Sequence, residues 1–439
     1  MQSTESLTES VSRAKSRFTK LSRSLAVLGL VLGLFSFWAW AVTLDSRETF
    51  HNTTDLADLD GDGDLDVILH NVRTESEFTA FGGAGLWINQ GNGQFVHRDL
   101  EEGGGWASAA GDVDRDGDVD LVVFTGFPLR WFLNQGGAQG GEPGEFRFNY
   151  SVAAPKRHNQ FGSVLLGDLN NDGQVDGIVA GCCGRVWTLD PFDDTPNFSW
   201  VWINEWDSSG RISPHSSILS ALDGLAMRAA ALGDLDGDGD LDLFAAVIAP
   251  RQGRNRDPAD RVLINDGSGS FTDSGQPLGE TDSTAVALGD LDGDADLDAL
   301  VGTGRGAMVW INQGGAQGGQ DGAFALSGQE ISGSKTRAVF LSDLDGDGDL
   351  DALIAGRRQA AIWWNDGQAA FARSSQRFRY SKRHGLAIED FNGDGRPDVF
   401  AAEGSRDYRV WYNQGDGTFQ TQTVSSGQWL KKRVDKKRE

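Results

Sequence analysis

One acidic nonapeptide recurs seven times along the chain, and no other feature limits the fold so sharply. Its first copy reads Asp58-Leu59-Asp60-Gly61-Asp62-Gly63-Asp64-Leu65-Asp66. Further copies run Asp112–Asp120, Asp168–Asp176, Asp234–Asp242, Asp290–Asp298, Asp343–Asp351 and Asp390–Asp398. Successive starts lie 54, 56, 66, 56, 53 and 47 residues apart. Such a period indicates a solenoid, propeller or array, in which a unit buries its faces only against its neighbours.

Each unit has one internal grammar. An apolar stretch enters the motif, as in Ala229-Ala230-Ala231-Leu232, and a second leaves it, as in Val119–Phe124. A third is aromatic: Leu86-Trp87-Ile88, Val309-Trp310-Ile311, Val410-Trp411-Tyr412. A glycine turn then leads to a phenylalanine, in Asn89–Phe95 and again in Asn413–Phe419. Short apolar runs between turn signals read as strands, four to a unit. No stretch beyond the N-terminal segment keeps a helical period. The expected fold is all-β, a seven-bladed β-propeller of four-stranded antiparallel blades over residues 42–428. The 59 glycines serve turns, because the chain has only 10 prolines and no collagen period.

Oxygen-bearing side chains stand at positions 1, 3, 5 and 9 of each motif, with glycine usually at 6. They converge only if the backbone curls around a centre, and position 7 can add its carbonyl. Hard oxygen ligands in this number suit Ca²⁺. The candidate ligand sets are Asp58, Asp60, Asp62, Asp64 and Asp66; Asp112, Asp114, Asp116, Asp118 and Asp120; and Asp168, Asn170, Asp172, Gln174 and Asp176. The fourth and fifth are Asp234, Asp236, Asp238, Asp240 and Asp242, and Asp290, Asp292, Asp294, Asp296 and Asp298. The last two are Asp343, Asp345, Asp347, Asp349 and Asp351, and Asp390, Asn392, Asp394, Arg396 and Asp398. Up to seven calcium ions are expected, in structural roles. An EF-hand would need Glu at position 12. Leu69, Val123, Val179, Ala245, Val301, Ile354 and Ala401 stand there instead.

These motifs, with Asn-x-Gly-x-Gly-x-Phe after the third strand, resemble the FG-GAP/VCBS repeats of integrin α-subunit propellers. The resemblance implies calcium between the first and second strands of each blade. It also implies a binding or adhesion module for a glycan or protein partner. Two departures bear on the sites: Ala295 replaces the position-6 glycine, and the third unit carries an insertion, Leu189–Phe198. Some such propellers are similar to polysaccharide lyases acting on acidic glycans, for which Lys156, Lys335 and Lys382 are the basic candidates. A purely structural envelope module is the remaining alternative.

Residues 1–41 read as an export signal or signal anchor. Arg13, Lys15, Arg17, Lys20 and Arg23 precede an apolar run, Leu25–Val42, and Ala39-Trp40-Ala41 fits a cleavage site. The rest of the chain is therefore expected outside the cytoplasm: secreted, periplasmic, or on the cell surface. Residues 429–439 form a charged tail. A net charge of −25 argues against nucleic acid. In an up-and-down blade the AB and CD loops share one face and the BC and DA loops the other. Arginines recur in or beside the BC connections. Arg73, Arg130, Arg185, Arg305, Arg357 and Arg406, with Trp106, are therefore expected ligand contacts for an anionic partner. The tryptophans of the third strands are expected to be blade-packing residues. The adjacent Cys182 and Cys183 cannot form a long-range bridge, and catalysis is not expected of them.

Overall fold

The computed structural model describes residues 54–72, 83–104, 107–124, 129–152, 161–182, 199–206, 212–219, 221, 226–248, 259–279, 282–314, 317–380, 385–403 and 407–424, all within the compact unit Thr43–Glu439. The N-terminal segment 1–41, the tail 429–439, the insertion Leu189–Phe198 and Cys183 lie outside the described residues. Among those described, no helix is long and apolar enough to cross a membrane.

The seven acidic motifs divide the chain into seven antiparallel sheets, each built from four consecutive segments. In blade one these strands, A to D, are Thr54–Ala57, Asp66–Val72, Gly83–Asn89 and Phe95–Gly104. The motif is the A–B turn in every blade. Its last aspartate begins strand B, as Asp66, Asp120, Asp176, Asp242, Asp298, Asp351 and Asp398 do. Strands A of neighbouring blades meet around the ring, so they line the axis and strands D form the rim. This is the expected seven-bladed β-propeller. Blade six departs in detail: its outer strand is broken into Ala372–Arg373 and Phe378–Arg379, both paired with Gln359–Trp364.

Apolar clusters lie between blades, not within them. The strand-C tryptophans Trp87, Trp131 and Trp202 are fully buried, and Trp310 and Trp411 nearly so, as packing residues should be. Trp363 alone of the described six is only half-buried. In every blade but the third a phenylalanine follows the CD turn and packs toward the preceding blade. Phe95 packs edge-to-face on Phe391, Phe400 and Tyr408 of blade seven. Phe324 does so on Phe244, and Phe419 on Phe378.

A buried asparagine at the end of strand C crosses the same interfaces. Asn134 Nδ2 donates to Leu59 O of blade one at 2.8 Å. Asn265, Asn312, Asn365 and Asn413 likewise donate to Leu169, Leu235, Leu291 and Leu344 of the blade before each. Asn89 donates to Phe391 of blade seven and closes the ring. Blades one and seven thus join through side chains, and among the described residues no strand is shared between the chain ends. Tyr408 Oη also accepts the Phe95 N–H at 3.0 Å, and Tyr412 Oη donates to Gly93 O at 3.0 Å.

Tyr408→Phe is expected to strand the buried Phe95 N–H and lower unfolding stability by about 1–3 kcal/mol. Tyr412→Phe, whose bond is half-exposed, should cost less. Urea unfolding of both variants checks the order.

Candidate metal centres

The loop backbone is wound around the first aspartate. Asp58 Oδ1 accepts the N–H of Gly61 at 2.8 Å and of Asp62 at 3.1 Å, and Oδ2 accepts that of Gly63 at 3.0 Å. Asp290 repeats this with Gly293, Asp294 and Ala295. The position-5 carboxylate accepts the N–H two residues on, as Asp62 does from Asp64 at 3.0 Å. Position 9 is the anchor. Asp66 Oδ2 accepts the Leu59 N–H at 2.8 Å and Oδ1 the Asn89 N–H at 2.7 Å. It is fully buried, as are its six counterparts.

This winding needs a left-handed backbone twice per loop. Position 6 holds Gly63 at φ 93° but Ala295 at φ 79° in blade five. Position 4 makes the same demand, which sequence reasoning missed. Glycine meets it in five loops, while Arg115 at φ 64° and Asn171 at φ 59° carry it elsewhere. Ala295 and Arg115 are strained, because a Cβ crowds the backbone there.

Position 3 is different. Asp60, Asp114, Asp236 and Asp292 each hold a buried Oδ1 that accepts no hydrogen bond. Carboxylate oxygens converge around them. One oxygen from each of Asp58, Asp60 and Asp62 lies within 4.8 Å of the others, as do those of Asp290, Asp292 and Asp294, and of Asp343, Asp345 and Asp347. In blades two and four the close trios are Asp112, Asp114, Asp120 and Asp234, Asp236, Asp242. Uncompensated oxygens facing one another fit an oxygen-seeking cation such as Ca²⁺. Position-7 side chains lie instead against the CD turn. A Cβ at Gly91 would stand 2.6 Å from Asp64 Oδ2, which places that carboxylate against the turn.

Two loops partly neutralise themselves. In blade three Asn170 Nδ2 and Gln174 Nε2 both donate to Asp172 Oδ2, at 3.1 and 2.7 Å. In blade seven Arg396 pairs with Asp394 at 2.6 Å and donates to Asn413 O. One glutamine from each repeated Gln-Gly-Gly-Ala-Gln-Gly-Gly segment reaches these clusters, a contact the sequence did not reveal. Gln139 Nε2 donates to Asp114 Oδ2 at 2.7 Å and Gln317 Nε2 to Asp292 Oδ2 at 2.6 Å. Their spacing matched no ligand motif, and only the fold brings them over position 3.

At the other end of the strands, Arg305 lies exposed in the two-residue BC turn of blade five, and its carbonyl accepts the Gly333 N–H of the DA connection at 2.9 Å. Arg357 lies exposed in the matching turn of blade six. Neither guanidinium pairs with a carboxylate among the described residues. Arg130 falls inside strand C, Leu129–Asn134, with its guanidinium 5.9 Å from the Phe148 ring on the outer strand. Lys335 is half-buried and engaged by its neighbours. Arg73, Arg185, Arg406, Trp106, Lys156 and Lys382 lie outside the described residues.

The fold and these loops define a repeat propeller with acidic turns at one end of its strands. The FG-GAP-like repeat profile matches residues 58–123, 112–179, 234–301 and 390–431, more than half of the chain, and the protein belongs to that family. No curated protein sequence matches it. Similar solved structures include an Agrocybe aegerita lectin recognising non-reducing terminal N-acetylglucosamine, at 18% identity over 87% of this chain and 83% of that one, TM-score 0.42. BBS1N in complex with ARL6DN is 13% identical over 84% and 96%, TM-score 0.49. The periplasmic gluconolactonase PpgL of Pseudomonas aeruginosa is 11% identical over 78% and 96%, TM-score 0.46. At these identities the likeness concerns the fold alone.

Two expectations follow from the loops. Ala295→Gly should relieve strain at φ 79° and stabilise the protein by about 1 kcal/mol, seen as a raised unfolding midpoint, whereas a glycine at an unstrained site would lower it. The second concerns pH. Burial, against the pull of two backbone N–H groups, raises Asp66 to about 7 and Asp298 to about 7. Asp120, less its hydrogen bonds, is raised to about 8 by the same cause. These values exceed those of the unfolded chain, so the native state binds more protons between about pH 4 and 7. Chelated protein should therefore melt higher at pH 5.5 than at 7.5. Calcium must displace those protons, so its stabilising increment should shrink over the same descent. Thermal melts with chelator and with calcium at both pH values check both signs.

Proposed function

We propose that this chain is an exported, calcium-stabilised propeller that binds a glycan or protein partner and performs no catalysis of its own. The calcium half rests on the position-3 carboxylates. Four loops bury an oxygen that no protein donor satisfies, beside further carboxylates within 4.8 Å in each case. Burying such oxygens without a partner is costly, and a divalent ion would supply the missing partner at once to all of them. Positions 1, 3, 5 and 9 would hold it, with a carbonyl from position 7. Ca²⁺ accepts such irregular six- to eight-oxygen cages more readily than Mg²⁺. Its contribution would be charge neutralisation and cross-linking of the A–B turn. The basic, apolar and small-residue order of residues 1–41 supports export, into compartments where calcium is plentiful.

The binding half rests on the contrast between the two faces. The metal rim is acidic, while Arg305 and Arg357 stand exposed at the opposite ends of the strands without carboxylate partners among the described residues. Exposed guanidinium forks are suited to carboxylates and other planar anions.

Equilibrium dialysis of the full chain should find several bound calcium ions, and chelation should lower the melting temperature by mass action. Asp60→Asn and Asp292→Asn together should remove two equivalents and leave the fold intact. A melting curve indifferent to calcium would sink the reading.

A further inference from the structure

A groove open to solvent runs between blades five and six, from their BC and DA connections toward the CD end of blade six's third strand. Its floor is apolar, formed by Ile331, Ala360 and the half-buried Trp363. Its rim is polar: Ser334, Gln359 and Arg373 are exposed and line it. The broken outer strand of blade six opens this wall. Arg373 sits directly across from Trp363 in the ladder, with its guanidinium 5.6 Å from the indole. A guanidinium resting on an aromatic face keeps its N–H edge free, and the stack limits the rotamers it must give up on binding. No carboxylate among the described residues pairs with it. More cations stand at its BC end. Arg305 precedes the lining residue Gly306, and Arg357 and Arg358 stand between the lining residues Gly356 and Gln359. The nearest acid in sequence, Glu330, alternates to the other face of its strand from Ile331.

We infer that this groove binds a carboxylated sugar residue of an acidic glycan. The inference rests on the binding-module reading above and names the ligand class and place. The sugar carboxylate meets the fork of Arg373, the ring C–H face covers Ile331 and Ala360, and hydroxyls bond to Ser334 and Gln359. An acidic peptide fits less well. Peptides commonly add to an exposed strand edge, and here the outer strand is two pairs of residues, Ala372–Arg373 and Phe378–Arg379, too short to template one.

The test titrates calcium-loaded full chain with trigalacturonate, neutral galactotriose and a glutamate tripeptide by calorimetry, at 50 and 300 mM NaCl. Trigalacturonate should bind, weaken at high salt, and weaken at least about tenfold in Arg373→Gln, a change at an exposed site that should leave the melting temperature unmoved. Equal binding of galactotriose or of the peptide overturns the inference. So does trigalacturonate binding that Arg373→Gln leaves unchanged, although the chain would then remain a glycan binder through another surface. A glycan array and a surface-protein capture on the same preparation separate the two levels. Array or capture signals without trigalacturonate binding overturn the groove alone, and silence in all of them overturns the binding-module reading with it.

Discussion

The propeller depends on a buried carboxylate with two backbone donors. In blade one, Asp66 takes the N–H of Leu59 on one oxygen and of Asn89 on the other. The first bond sets the shape of the acidic turn. The second ties strand B to the end of strand C. Asn89 then spends its amide on the neighbouring blade, at Phe391 O. One aspartate therefore joins a turn, a sheet and an interface. Burial makes its charge expensive, and two hydrogen bonds offset only part of that cost. A cation above the turn would offset more, so a metal held there would draw on the same group that docks the blades.

That linkage also explains why so acidic a chain can stay compact. The surplus of 64 acids over 39 bases is concentrated in motifs where backbone N–H groups already point at the carboxylates. Repulsion is confined to one rim, at the surface, and leaves the opposite face free to carry arginine. Loops three and seven show the other solution. There amide or guanidinium donors stand in for part of the cation's charge, through Gln174 on Asp172 and Arg396 on Asp394.

Much of this was legible in the residues. The spacing of the motif implied the blade count, and the apolar runs implied strands, because both depend on local pattern. The clustering of carboxylates could be read too, because oxygen side chains at alternate positions of a curled loop face one centre: positions 1, 3 and 5 meet in blades one, five and six, and 1, 3 and 9 in blades two and four. What could not be read were contacts made by long-range closure. Gln139 and Gln317 reach position 3 only because the CD turn folds back over the A–B turn. Arg115 carries a left-handed position-4 backbone that its residue type does not advertise. The groove at Arg373 owes its opening to a break in one outer strand. Trp363 looks in sequence like every other strand-C tryptophan, and only the missing cover over it sets it apart.

The interface between blades two and three is where the common device is replaced. Asn204 keeps the bond to Asp176 but turns its amide to Val175 O of its own blade. No Asn204 bond to blade two exists among the described residues. Aromatic contacts occupy the place instead: Trp131 meets Trp202 with centroids 6.2 Å apart, and Phe124 meets Trp200 at 6.0 Å. Such contacts are less directional than an amide bond to one carbonyl, and they bury more apolar area. The blade that uses them is also the one whose unit, at 66 residues to the next motif, is the longest. The extra residues of that unit fall mainly in its BC connection, between Cys182 and Trp200, at the far end of the strands from Asn204.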